Sequence, residues 1–197
     1  NFFATDGMDQ KDDWSFRRSK WFEAVKRECK NVKENVGLLD MTAFAKCRIK
    51  GPKAEEFLDN LVANKLPKKT GRVNLCHALN TKGGVHSEFT ILKEAEDSFY
   101  LVSAGAFQRL DHDWILKWMP KDGTVIFENL TNSTGVLVVA GPKSRELMQK
   151  VSKDDFSNEN FKWLSAKNVD VGYAPVNAMR VNFVGELGWE LHHPIEY

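Results

Sequence analysis

Apolar residues Trp21, Ala24 and Val25 recur at helical spacing, which predicts a helix over 20–35 with one apolar stripe. The run 36–40 breaks that pattern and reads as a loop, after which 45–49 alternates like a strand. Gly51 and Pro52 make a turn, and Ala54, Phe57, Leu58 and Leu61 share one face of the helix that follows. Beyond a basic connector at 65–71, strands at 72–79 and 85–92 flank NTKGG at 80–84, a hairpin signal. A third strand follows at 99–103. Residues 107–119 predict an amphipathic helix, with Leu110, Trp114, Ile115 and Trp118 on one side and Arg109, Asp111 and Asp113 on the other; Pro120 and Gly123 end it. Strands at 125–130 and 135–140, a helix opened by Gly141 and Pro142 and running to Val151, and further strands within 171–191 complete the pattern.

This order lacks the regular strand–helix alternation of a doubly wound sheet, so the fold class is α+β. Composition narrows the function more than the fold. Lys and Arg number 28 against 27 Asp and Glu, leaving a net charge of +1. That balance argues against nucleic acid, which needs a surplus of cations on one face, and against anionic lipid surfaces. The longest apolar run, 136–140, has the length of a strand and falls far short of the roughly 18–20 residues of a membrane helix. Cys29, Cys47 and Cys76 are irregularly spaced and form no CxxC pair, which fits a reducing compartment. The first residues carry neither a start Met nor a signal pattern, so the chain reads as a piece of something longer. Within residues 1–19, Trp14, Phe16, Arg17 and Arg18 are candidates for docking on a neighbouring surface.

No Gly-rich nucleotide loop, nucleophile elbow or HExxH occurs. Of the five histidines, the adjacent His192 and His193 alternate faces on a strand and lack a third ligand nearby, so no metal site is expected. Two carboxylates stand out. Glu88 follows the glycine pair of the hairpin and shares a strand face with His86 and Thr90; it is either solvated or, if close to an amine, a general base. Glu190 ends GELGWE at 185–190, where Gly188 permits a close approach and Trp189 either covers a flat ligand or packs in a core. A glutamate there suits an aminopyrimidine edge, because it accepts two parallel N–H bonds.

VGLLDM at 36–41, GPKAEEFL at 51–58, NTKGGVHSE at 80–88, AGPK at 140–143 and GELGWEL at 185–191 occur in an order that resembles the folate-binding aminomethyltransferase family of the glycine cleavage T-protein. DWSFRRSKWFEAVKRE at 13–28 is similar to the junction in dimethylglycine and sarcosine dehydrogenases, bacterial dimethylglycine dehydrogenases above all. The resemblance implies a T-protein-like fold of two mixed α/β lobes, the second inserted in the first. It places a connecting segment from an upstream flavin domain, plus the first helix, at 1–34. The folate-binding domain would cover 35–197, with one lobe at 35–51 and 130–197 and the other at 52–129, and the family's C-terminal barrel portion would follow Tyr197.

The resemblance further implies transfer of a one-carbon unit from an oxidised N-methyl glycine to tetrahydrofolate, with FAD held only in the upstream domain. Its partners would be folate, a small iminium and the flavin domain, in the cytoplasm or, in a eukaryote, the mitochondrial matrix. The carboxylate that assists the folate amine falls on Glu88 and the one that holds the pterin on Glu190. The family's Asn after the third strand falls at Ser103. Two family tyrosines are replaced, by Phe183 before the Gly-Glu motif and by Leu75 on the strand before the hairpin. Those losses sustain an alternative, a non-catalytic relative resembling the pyruvate dehydrogenase phosphatase regulatory subunit.

Overall fold

A computed structural model describes residues 4, 6–11 and 13–197; residues 1–3, 5 and 12 of the connecting segment lie outside the described residues. Helix α1 (Phe22–Glu34) leads into strands β1 (Gly37–Asp40) and β2 (Ala45–Lys50) and helix α2 (Ala54–Leu61). Strands β3 (Val73–Leu79), β4 (Val85–Ala95) and β5 (Ser98–Ser103) form a meander, followed by helix α3 (Gln108–Trp118) and β6 (Ile126–Asn129). The chain ends with β7 (Thr134–Ala140), α4 (Ser144–Val151), β8 (Ala166–Val171), β9 (Ala174–Met179) and β10 (Gly188–Pro194).

The strands make two five-stranded sheets, ordered β1-β7-β10-β9-β8 and β3-β4-β5-β2-β6. Every pairing is antiparallel. The second sheet is thus inserted between β1 and β7 of the first. Strand β2, grouped with the first lobe by the sequence reading, pairs with β5 and β6 and belongs to the second sheet. The chain crosses between sheets at 41–44 and 130–133, not at 51–52.

Period-two alternation explains the layering, because both faces of the second sheet are covered. Cys47, Ile49, Phe89, Ile91, Phe99 and Leu101 point one way and meet Phe57 and Leu58 of α2 and Ile115 of α3. Leu92, Tyr100 and Val102 point the other way and meet Ala166 and Met179 of the first sheet. On the far side of that first sheet, Val139, Val176, Trp189 and Leu191 pack on Met148 of α4 and on Phe156 and Phe161. Helix α1 buries none of its own residues, yet its end lies against the β7–α4 turn. A Cβ on Gly141 would sit 2.4 Å from the Asn35 carbonyl oxygen, and its φ of +131° also demands glycine.

Three local expectations change. Residues 36–40, read as a loop, contain edge strand β1, whose Leu39 packs inward while Leu38 stays exposed. Strand β8, AKNVDV, precedes the strand region predicted at 171–191; only Ala166 and Val169 are buried along it, too few to mark a strand. Helix α3 is rotated from the face its apolar residues suggest. Asp111 and Ile115, one turn apart, are its buried residues, whereas Leu110 and Trp118 are about half exposed. All three cysteines are free; Cys29 is exposed, and burial pushes the Cys47 thiol up to about 12 and Cys76 to about 11. Among the described residues no helix is long and apolar enough to cross a membrane.

Candidate functional site

Where the facing sheets part, they leave a cavity of about 470 Å³, within the range of small-molecule sites. Glu190 and Phe183 line it from the first sheet's side, Glu88, Thr90 and Ser103 from the second, and Phe107 and Asp111 from the start of α3. Four residues singled out by sequence, Glu88, Ser103, Phe183 and Glu190, therefore meet in one place. Leu75 does not line it: the residue lies opposite Thr90 on β3 and is half exposed. The cavity wall holds three carboxylates and no Lys or Arg. A larger polar cleft, of about 590 Å³, lies beyond His192, but its Arg48 is already bound by Glu94 at 2.5 and 2.9 Å and by Glu128. Among the described residues no group of His, Cys, Asp and Glu is placed to hold a metal ion.

Strand β4 carries Glu88 directly opposite His77 of β3, and the two side chains meet at 2.9 Å between Nε2 and Oε2. The Glu88 side chain is 60% exposed, so its other oxygen is available to a ligand. His86, which the alternation places beside Glu88, instead stacks on Trp114 of α3 with centroids 4.1 Å apart and meets Ser87 Oγ.

Glu190 is set differently. Strand β10 sits between β7 and β9, and alternation sends Trp189 and Leu191 to the outer core and Glu190 and His192 inward. Glu190 Oε2 lies 3.1 Å from His192 Nε2, and His192 Nδ1 lies 3.0 Å from the Tyr100 hydroxyl of the other sheet. All three residues are buried. Burial, and then the Glu94 and Glu190 carboxylates, push the Tyr100 phenol far above its usual range, so the hydroxyl that meets Nδ1 keeps its proton. An ionised carboxylate can only accept, so the contact with Glu190 is made by an Nε2–H donor. Glu190 is thus linked through His192 to the opposite sheet.

The family model described as the GCVT N-terminal domain matches residues 2–197. The chain belongs to this family. It is 39% identical over 194 residues to the mitochondrial dimethylglycine dehydrogenase of Homo sapiens, covering 98% of this chain and 22% of that one. The mitochondrial pyruvate dehydrogenase phosphatase regulatory subunit of Mus musculus is 31% identical over 186 residues, covering 93% and 21%. Among solved structures, the glycine cleavage system aminomethyltransferase T of Bartonella henselae superposes with a TM-score of 0.74 at 21% identity, over 86% of this chain and 45% of that one. The chain thus spans about a fifth of the length of each of these two curated relatives, and the T-protein-like fold implied by its motifs is the fold it has.

Within this GCVT domain, two open alternatives of the GELGWEL motif close. Trp189 is wholly buried against Phe156 and Phe161, at 5.2 and 5.9 Å between ring centroids, and covers no ligand. At Gly188 the close approach is made by backbone: a Cβ would stand 2.5 Å from the Val139 carbonyl oxygen. Sequence reasoning passed over His77, Asp111, Tyr100 and His192 as site residues. A signal existed for His192, which stands two residues from Glu190 on a strand and so shares its face. None existed for Tyr100, 92 positions away from His192.

Proposed function

We propose that this GCVT domain binds a reduced folate in the 470 Å³ cavity and transfers to it a one-carbon unit from an oxidised N-methyl glycine. The observation that carries the reading is the pairing of Glu88 and Glu190 from facing sheets across a cavity without Lys or Arg. Such a wall suits a neutral, donor-rich ring system and a cationic reaction partner, and opposes phosphates. Bound tetrahydrofolate would supply the nucleophilic amine. Glu190, fixed by the His192 donor through Oε2, has Oε1 left to accept N–H bonds from the pterin's aminopyrimidine edge. Phe183, 89% exposed at the cavity, offers a ring face but no hydroxyl. Ser103 adds a hydroxyl at the end of β5. Glu88 would take the proton released as one folate nitrogen bonds the iminium carbon and the iminium π pair returns to its own nitrogen. Returning that proton to the same nitrogen would let the glycine-derived amine leave with its C–N bond electrons, as the second folate nitrogen bonds the carbon and loses its proton. Holding both reactants in one cavity supplies much of the remaining rate. In this reading the flavin that generates the iminium belongs outside residues 1–197, and the lobes of the domain are the units built on the two sheets.

Titration of the protein with tetrahydrofolate, followed by tryptophan fluorescence, tests the reading. Saturable binding is expected, and Glu190→Ala should weaken it by about 10-fold or more, the loss of charge-assisted hydrogen bonds. Absence of saturable binding in the unsubstituted protein would overturn the assignment. Tyr100→Phe gives a finer check of the relay: the ring stays, His192 Nδ1 loses its hydroxyl partner at a cost of about 1–3 kcal/mol in stability, and folate should bind about 3- to 10-fold more weakly well below the unfolding temperature. Unaltered affinity would mean that the relay does not orient Glu190.

The replaced hydroxyls at Phe183 and Leu75, together with the likeness to the phosphatase regulatory subunit, favour a second reading in which the domain binds folate without transferring to it. Leu75, lying outside the cavity wall, weakens that case. The two readings part on whether methylene-tetrahydrofolate accumulates.

A further inference from the structure

Asp111 is only 2% exposed, and its Oδ1 has no hydrogen-bond partner among the described residues. Isolated buried carboxylates are expensive: an unmatched acceptor costs about 1–3 kcal/mol and an unmatched charge more. In this fold Asp111 also stands at the wall of the ligand cavity, not in the apolar core. Phe107, one helical turn earlier and 58% exposed, lines the same cavity, as do Phe44 and Met41. The only basic side chain on that wall, His86, is occupied by the Trp114 ring and Ser87. A carboxylate without a donor among the described residues, on a cavity wall that also carries Phe44 and Phe107 and no Lys or Arg, has the composition that recognises a methylated cationic nitrogen.

We propose that Asp111 and Phe107 form a cation subsite that holds the positively charged, N-methylated nitrogen of the small reactant. Asp111 supplies the countercharge, Phe107 the aromatic face, and Glu88 lies on the same cavity wall, at the place where the proton must be removed. Identifying this cation as the one-carbon donor rests on the folate reading above; binding of a methylated cation as such does not. The subsite also gives the misjudged face of α3 a purpose. Asp111 is turned inward at a cost to the unliganded fold, and that cost is relieved when the cation arrives.

Trimethylammonium chloride is the probe, measured by the unfolding temperature against sodium chloride at equal ionic strength and against tert-butanol as the uncharged isostere. The unsubstituted protein should show a saturable rise with trimethylammonium alone. Asp111→Asn should need at least about 10-fold more probe for the same rise, by loss of the countercharge. Phe107→Ala, at an exposed position that does not endanger folding, should need several-fold more. Without probe, Asp111→Asn should unfold at the same temperature as the unsubstituted protein or higher, because an unpaired buried charge has been removed. Equal probe responses in all three proteins, or a lower unfolding temperature for unliganded Asp111→Asn, would overturn the subsite. Tetrahydrofolate is titrated separately. If folate fails to bind while the cation response depends on Asp111, the folate reading falls and the subsite stands; folate binding with no Asp111-dependent response sinks the subsite alone.

Discussion

Replacing Glu88 with Gln is expected to lower one-carbon transfer by about 10²- to 10⁴-fold, the usual worth of a positioned general base, while tetrahydrofolate affinity stays within about threefold. The substitution is well isolated. Gln preserves the shape of the side chain, and its amide oxygen can still accept the His77 Nε2–H that Glu88 accepts now at 2.9 Å. What it loses is the ability to take a proton. Because the Glu88 side chain is 60% exposed, the change should move stability by no more than about 0.5 kcal/mol. The measurement is the partition of product when the domain, joined to the flavin domain that oxidises an N-methyl glycine, is given tetrahydrofolate: methylene-tetrahydrofolate should give way to free formaldehyde as capture fails. Capture that survives Glu88→Gln with less than a threefold loss would remove Glu88 from the chemistry. Folate binding that disappears together with transfer would instead make it a binding residue.

Trp189→Ala should destabilise the domain by about 3–5 kcal/mol, seen as a large fall in the urea midpoint. Trp189 is fully buried between strand β10 and the Phe156–Phe161 pair, and the guanidinium groups of Arg145 and Arg180 each lie 5.8 Å from its ring centroid. Truncation to Ala removes an entire bicyclic ring that the close-packed surroundings can only partly replace. Trp189→Phe provides the contrast. Trp189 Nε1 is buried without a partner among the described residues, so Phe keeps an aromatic face and deletes the orphaned donor; its cost should stay below about 2 kcal/mol. The site should feel the first change as well. Trp189 and Leu191 clamp β10 on its outer face, which is what directs Glu190 and His192 inward. Trp189→Ala should therefore weaken folate binding even below its unfolding midpoint. A cost near that of the Phe variant would mean that this core does not depend on the indole.

Much of the molecule follows from local pattern. The NTKGG turn and the alternation of 85–92 determine the hairpin that presents Glu88, and GELGWEL determines a strand with Glu190 on the face opposite Trp189. Those are period-two facts, settled by neighbours in sequence. The ordered motifs likewise sufficed for the family.

Other features depend on which surface covers a residue, and no local period encodes that. Helix α3 carries large apolar groups around much of its circumference, so its sequence suggests a face with Leu110 and Trp118; packing against the second sheet selects Ile115 and Asp111 instead. Strands β1 and β8 are edges with few buried side chains, and only their pairing partners make them strands. Leu75 shares the sheet face of Glu88 yet falls outside the cavity, because the opposing sheet decides where the gap opens. The Tyr100–His192–Glu190 relay joins side chains from two sheets and exists only once they face each other. The sequence by itself determined the family and most of the elements; tertiary packing alone decided that Glu88 and Glu190 line one cavity, how each is held and that Asp111 lies on the same wall, since burial is a property of the partner surface as much as of the residue.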